Sequence, residues 1–242
     1  MGKRIITQRR GRGTTTYRSP GHRQIARAKH RKYDDLEKTS IINGKVMDLV
    51  DSPGHSAPLV KIKYENGEIV YTIAPLNLGV NSNVSSGSKA IPATGNTLPL
   101  SNIPEGSPIY NIESVPGDGG KFCRASGAFA KVVSRINNKV VVRFQSRKER
   151  EFDSRCRATI GVVAGSGRQE KPFVRAGNKF HAMRSRNKLW PRTSGVSMNA
   201  VNHPFGSGRG SHAGKPLTPP RFAPPGRNVG AIRARRTGRK KK

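Results

Sequence analysis

The sequence predicts a mainly β chain, with two small barrels in its middle and a long, basic, irregular extension at each end. Three observations predict it. Apolar residues alternate at period two through the middle of the chain, Gly, Pro and Asn interrupt those runs every few residues, and a net charge of +32 gathers at the two ends.

The charge sets the boundaries. Residues 1–40 hold 12 basic and 3 acidic side chains, and residues 176–242 hold 16 basic and none acidic. Residues 41–100 carry 4 of each sign, and residues 101–175 carry 14 basic against 7 acidic. So large an excess repels itself in an isolated globule, and a polyanion must supply the counter-charge. Hydrophobic residues are 33% of the chain, beside 27 Gly and 17 Pro, so only part of it belongs to a packed core. The middle can fold alone, as one β module over 41–100 and a second over 101–175. The extensions 1–40 and 176–242 need a partner.

Taken in order, Gln24 to Glu37 has the composition of a short helix, and Ile41 to Val50 reads as a strand ended by Ser52-Pro53-Gly54. Leu59 to Ile73 alternates on both sides of Glu65-Asn66-Gly67, and Asn-Gly is a strong hairpin signal. Further strands are expected over Ile109 to Val115, Ala128 to Ile136, Lys139 to Phe144 after Asn137-Asn138, and Thr159 to Ala164. Short strands at this spacing suit small closed or half-closed barrels. Lys179 to Leu189 is a second short helix, and beyond Trp190-Pro191 Gly and Pro recur too often for regular structure.

Several chemistries are excluded. Gly117-Asp118-Gly119-Gly120-Lys121 looks like the end of a phosphate loop, but Val115 stands where a leading Gly belongs and Phe122 replaces Ser or Thr. The string from Gly206 to Lys215 fails as well, with Arg209 at the first Gly position and Pro216 after the Lys. The six His residues form no HxxxH or HExxH spacing, and the two Cys, Cys123 and Cys156, have no CxxC company, so no metal centre is expected. Magnesium or potassium ions enter only as counter-ions of RNA. No apolar run is long enough for a membrane span, and the basic start lacks the apolar stretch of a signal peptide, so a cytoplasmic protein is expected. No small-molecule substrate and no enzyme are implied.

What remains is polyanion binding. Arg9, Arg10, Arg12, Arg18 and Arg23 alternate with Gly11, Gly13 and Gly21, which leaves backbone amides free to approach phosphate beside a planar guanidinium. Gly206, Gly208 and Gly210 around Arg209 repeat the pattern. Trp190, Met198, Phe205 and Phe222 lie among the charges, as stacking on bases requires and a purely electrostatic tail does not. A DNA-coating protein would instead show repeated basic helices or a dimerisation helix, and an RNA-processing enzyme a focused site; neither is present.

Seven strings carry a family resemblance: Thr7-Gln8-Arg9-Arg10-Gly11, Asp51 to Ile62, Pro104 to Glu113, Pro116 to Val133, Ile160 to Arg168, Trp190 to Gly208 (WPRTSGVSMNAVNHPFGSG) and Arg227 to Arg239. In this order they resemble the universal "L two" family of large-subunit ribosomal proteins, in its archaeal and eukaryotic style, over nearly the whole chain. The resemblance implies an OB-like (oligonucleotide-binding-type) barrel, then an SH3-like barrel, with extensions threading into large-subunit rRNA. It implies a structural, primary rRNA binder that supports subunit association and the peptidyl-transferase region. The partners it implies are large-subunit rRNA, neighbouring ribosomal proteins, and small-subunit rRNA at the subunit interface. To the RNA-binding residues above it adds Lys121, Arg124, Arg168, Arg184, Arg186, Trp190, Arg192, Asn199, His203, Arg227, Arg235 and Arg236. His203 is the residue discussed in the family for catalysis, and no base-orienting partner for it is visible in the sequence. Where the family has triple-Gly strings, this chain has Gly165-Ser166-Gly167 and Gly206-Ser207-Gly208.

Overall fold

In a computed structural model, which describes residues 2–232 and 234, the chain divides into two compact units. One is Gly21–Val174; the other is built from the chain up to Pro20 together with the chain from Arg175 onward. The Arg235 and Arg236 sites lie outside the described residues.

The central unit is mostly β. Strand β1 (Ile41–Val50) pairs antiparallel with β2 (Leu59–Tyr64) on one side and β4 (Asn83–Gly87) on the other, and β3 (Ile69–Ile73) completes the β2 hairpin. Short β5 (Thr97–Pro99) touches β4 in parallel at Ser86 and Thr97, and leads the sheet to β10 (Arg157–Ile160). Then follow β6 (Pro108–Tyr110), β7 (Ala130–Ile136), β8 (Lys139–Phe144) and β9 (Glu149–Asp153), each antiparallel to its neighbour. Among the described residues these ten form one sheet, in the order β3-β2-β1-β4-β5-β10-β6-β7-β8-β9. The Asn66-Gly67 turn forms as expected: Gly67 sits at φ +80°, which only Gly adopts cheaply, and Tyr64 N–H donates to Glu68 O at 2.9 Å.

Period-two burial builds two main cores. Ile42, Val46, Val60, Ile62, Tyr64 and Val84 face one; Leu98, Leu100, Ile103, Ile109, Val132, Val140, Val142 and Phe152 face the other. Each fully buried aliphatic stabilises by about 1.5–3 kcal/mol. Leu98 and Leu100, which fall in the stretch 41–100, therefore pack with the second core, because β5 pairs with β10. A smaller cluster of Leu59, Ile73, Tyr110 and Val163 lies between the strand groups, where Tyr110 Oη donates to Ile73 O at 3.0 Å.

Between these cores the charges are paired. Arg157 is fully buried; its Nε and Nη2 donate to Glu113 Oε1 at 3.2 and 2.8 Å, and its Nη1 donates to Arg31 O at 2.9 Å. Arg31 is buried too, and donates to both oxygens of Asp34 (2.7 and 2.5 Å) while its Nε lies 3.0 Å from Glu68. Glu37 sits between them, 3.6 Å from Arg157 Nη1 and 3.9 Å from Arg31 Nη1, and accepts from Ser86 Oγ at 2.6 Å. Burial pushes the Glu37 carboxyl up; Glu113, buried as well, is held below its usual value by the Arg157 guanidinium. Glu113 also accepts from the Gly117 and Gly119 N–H groups, so it orders the loop that resembled a phosphate site.

This network corrects several expectations. Residues 24–34 are not a helix: Lys29 N–H donates to Tyr71 O and His30 N–H to Gly119 O, which holds the stretch extended against the sheet. Helix α1 covers only Asp35–Thr39, with Asp34 as its cap accepting from Glu37 N–H at 3.0 Å. The expected strand from Ile109 breaks at Asn111, whose φ is +50°, and the strand expected over Thr159 to Ala164 begins at Arg157 and ends before Gly161, at φ +122°. β4, β5 and β9 carry no apolar alternation long enough to announce them. In the terminal unit, α2 is Ala176–Arg184 and stops earlier than expected, at a left-handed Asn187 (φ +47°) with Lys188 N–H returning to Met183 O.

Candidate nucleic-acid interface

The terminal unit is held by contacts between the two chain ends. Ile5, Phe205 and Val229 form a buried apolar cluster with Val196 and Ala213 against it. Lys3 N–H donates to Val201 O at 3.1 Å, and Asn187 Nδ2 donates to Arg18 O at 3.1 Å. The two ends, expected as irregular basic extensions, thus share one small core.

A cleft of ≈ 1590 Å³ opens within this unit. Residues from Lys3 to Thr14 line one part of it, and residues from Leu189 to His203 and Pro225 to Ile232 line the rest. Lys3, Arg4, Arg9, Arg10, Arg12 and Arg192 face it, and no Asp or Glu does. The stretches that make the unit hold 23 Lys and Arg and no acidic side chain, so no carboxylate side chain of the unit can neutralise that charge. Ile6–Arg9 form a single 3-10 turn, and Gly11 and Gly13, at φ +76° and +71° with open space over them, turn the chain so that Arg9, Arg10 and Arg12 are exposed. Arg10 lies over the Tyr17 ring, 5.4 Å from its centroid.

His203 projects from a tight loop. Asn202 and His203 N–H both donate to Asn199 O, and Gly206 N–H donates to His203 O. The His203 Nδ1 accepts from Phe205 N–H at 3.0 Å, so the neutral ring carries its proton on Nε2. Partial burial lowers its pKa, which favours that neutral form. The ring therefore offers a hydrogen-bond donor rather than a base.

Two glycines support this loop in a way the sequence did not disclose. A Cβ on Gly195 would collide with the His203 ring, and one on Gly206 would collide with the Met198 and Asn199 carbonyls. Gly206 is thus occupied by the protein's own backbone and supports the loop, whereas Gly208 has φ +77° and open space. Gly210 is open except for the His212 ring at 3.2 Å.

Comparison with known proteins addresses the whole chain. A family model described as Ribosomal Proteins L2, RNA binding N-terminal domain, matches residues 2–86, and one described as Ribosomal Proteins L2, C-terminal domain, matches residues 93–221. The chain belongs to the L2 family of ribosomal proteins. Its L2 relatives include the large ribosomal subunit protein uL2 of Methanothermobacter thermautotrophicus, 51% identical over 241 residues, and that of Methanocaldococcus jannaschii, 50% identical over 242 residues. Both alignments span 100% of each chain. The uL2 of Methanococcus vannielii is 49% identical over 240 residues, 99% of this chain.

The remaining sequence-predicted residues of this L2 chain divide by environment. Arg9, Arg10, Arg12, Arg192 and His203 line the cleft together, with Lys3 and Arg4, which precede the Arg-Gly alternation. Arg18, Arg184, Asn199, Arg209 and Arg227 are exposed on the same unit, and Arg186 is half-buried there. Trp190 is half-buried, with the Lys179 ammonium 5.5 Å from its ring centroid. Arg23, Lys121, Arg124 and Arg168 belong to the central unit. There Arg124 is largely a structural clamp, since its guanidinium donates to Gly120 O and Ala28 O at 3.0 and 2.6 Å. Lys121 pairs with Asp118 at 3.1 Å, and Arg168 donates to Ser126 Oγ at 2.9 Å while remaining exposed. Among the described residues, no cluster of three or more His, Cys, Asp and Glu could hold a metal ion.

Proposed function

We propose that this chain is a structural constituent of the large ribosomal subunit that binds rRNA directly, supports subunit association and shapes the peptidyl-transferase region. One observation carries the reading: Lys3, Arg4, Arg9, Arg10, Arg12 and Arg192 line one concave surface, in a unit whose sequence holds no Asp or Glu. A surface of that kind is stable only against a dense polyanion, and its relatives, large ribosomal subunit proteins, point to rRNA as that polyanion. The chain works in the cytoplasm, bound to ribosomes, beside neighbouring ribosomal proteins, and touches small-subunit rRNA at the subunit interface. It carries no catalytic role. Magnesium and potassium serve only as counter-ions of the RNA. The RNA-binding residues are those of the cleft, Arg9, Arg10, Arg12, Arg192 and His203, with Gly208 and Arg209 exposed on the same unit and Arg168 as a contact from the central unit. The donor edge of His203 Nε2 suits a phosphate or ribose oxygen.

The test is competition in rising salt. Full-length chain is bound to large-subunit rRNA and challenged with duplex DNA of equal phosphate content. The expected result is an rRNA complex that survives salt concentrations that strip the DNA. Equal loss from both would replace specific rRNA binding by general charge attraction.

A further inference from the structure

We propose that the cleft of the terminal unit is a receptor for an unpaired RNA strand, assembled jointly by the segment up to Thr14 and the segment from Leu189 to Ile232. The inference rests on the rRNA-binding reading and deepens it, from RNA in general to RNA whose bases are not paired.

Duplex RNA offers a protein its phosphates, its 2′-hydroxyls and a wide, shallow minor groove, while the bases are stacked out of reach. A surface that reads a duplex needs cations and hydroxyl contacts but has little use for an apolar floor. Here apolar side chains line the cleft as well. Met198 and Ile232 line it together with Arg9, Arg10, Arg12 and Arg192, Ile232 is 53% exposed, and the buried Ile5 and Val229 back it. Apolar side chains and guanidinium groups in one cleft are the combination that unpaired bases and their phosphates occupy together. Hydrogen-bonding edges for base or ribose are also present, in Asn202, Asn228 and the Nε2–H of His203.

The cleft needs both chain ends. Ile5 comes from one end, Phe205 and Val229 from the other, and Lys3 N–H donates to Val201 O. A strand seated there therefore ties the two ends of the protein to one RNA segment. The chain's one Trp stands between Leu189 and Pro191, both of which line the cleft, so Trp190 emission reports on the site.

The experiment titrates the full-length chain with unpaired oligo(U) and, separately, with a self-complementary RNA duplex of equal phosphate count, while following Trp190 emission. Oligo(U) is expected to shift the emission and to bind more tightly than the duplex. Arg12→Ala and Arg192→Ala, on segments from opposite ends of the chain, are each expected to weaken oligo(U) about tenfold, the loss of one charge-assisted hydrogen bond. Lys148→Ala removes the same charge from the β8–β9 turn and is expected to change little. The inference falls if the duplex binds as tightly as oligo(U), if Trp190 emission is indifferent to oligo(U), or if Lys148→Ala matches Arg192→Ala. In any of those cases, tight binding of large-subunit rRNA would leave the broader function standing; failure of that rRNA to bind would remove both.

Discussion

The central and terminal units each carry 23 Lys and Arg, yet the first also holds all 14 acidic residues and the second none. In the central unit that difference shows as architecture. Arg157 and Arg31 are buried, and Asp34, Glu37, Glu68 and Glu113 surround them. In the terminal unit Arg9, Arg12, Arg192 and Arg209 stay at the surface with no Asp or Glu side chain in the unit to meet them. Arginine content therefore says little by itself. Where carboxylates are near, the guanidinium builds the fold; where they are missing, it is left for phosphate.

The comparison can be broken by substitution. The largest effect is expected at Arg157. Arg157→Met leaves the buried Glu113 carboxylate without its guanidinium and Glu37 with only Arg31 and Ser86, and removing one partner of a buried pair costs about 3–5 kcal/mol. The denaturant midpoint of the central unit reads this; a loss below about 1 kcal/mol would mean the network does not hold the fold. Next comes Gly206→Val in the terminal unit. Its side chain must displace the Met198 and Asn199 carbonyls, and overpacking of this kind costs about 1–3 kcal/mol. Reduced occupancy of assembled subunits measures it, and full occupancy would contradict the close contact.

A pH effect sharpens the central half. His30 is buried, with Nε2 2.6 Å from Asn111 O, and burial followed by the nearby Arg157 charge lowers its pKa from 6.5 to about 4. Between those values the unfolded chain binds the proton that the folded chain refuses. This contribution is thus complete above pH 6.5 and is lost as pH falls, by about 2 kcal/mol at pH 5. The depressed Glu113 adds to the loss at lower pH, and the raised Glu37 opposes it. Unfolding measured from pH 7 to 5 should show that slope in the wild type and not in His30→Gln. A flat wild-type profile would place His30 in contact with water.

The terminal half predicts smaller effects on folding and a visible one on salt dependence. Arg209→Ala should leave stability within about 0.5 kcal/mol and reduce the log–log salt slope of rRNA affinity by about 1. An unchanged slope would take Arg209 off the phosphate backbone. The smallest effect is expected at His203. Because Nδ1 is engaged by Phe205 N–H and Nε2 is a donor, Gln can replace the ring's function. Subunits fully occupied by His203→Gln should form peptide bonds within a few-fold of normal. A deficit of about 100-fold or more, the loss expected for a missing general base, would return catalysis to this residue.

Much of the fold was legible. β1 and β8 have the bounds their alternation implied, and Asn66-Gly67 turned the β2–β3 hairpin. The polar strands β4 (NVSSG) and β9 (EREFD) were not legible, because neighbouring strands rather than their own pattern hold them. The buried network was invisible for a similar reason. Glu113 and Arg157 are far in sequence from each other and from the Arg31–Glu37 stretch, and only the fold brings them together. At the candidate interface, composition located the charge and the Arg-Gly strings, but not the meeting of the two ends around Ile5, Phe205 and Val229. Nor could the sequence show that a Cβ at Gly206 would meet the chain's own Met198 and Asn199 carbonyls.

The most direct measurement of the central claim is sedimentation of the chain with ribosomal subunits through a high-salt gradient. The chain is expected to travel with the large subunit and to stay there when free nucleic acid is added in excess. Release to the top of the gradient, or transfer to the added nucleic acid, would contradict it.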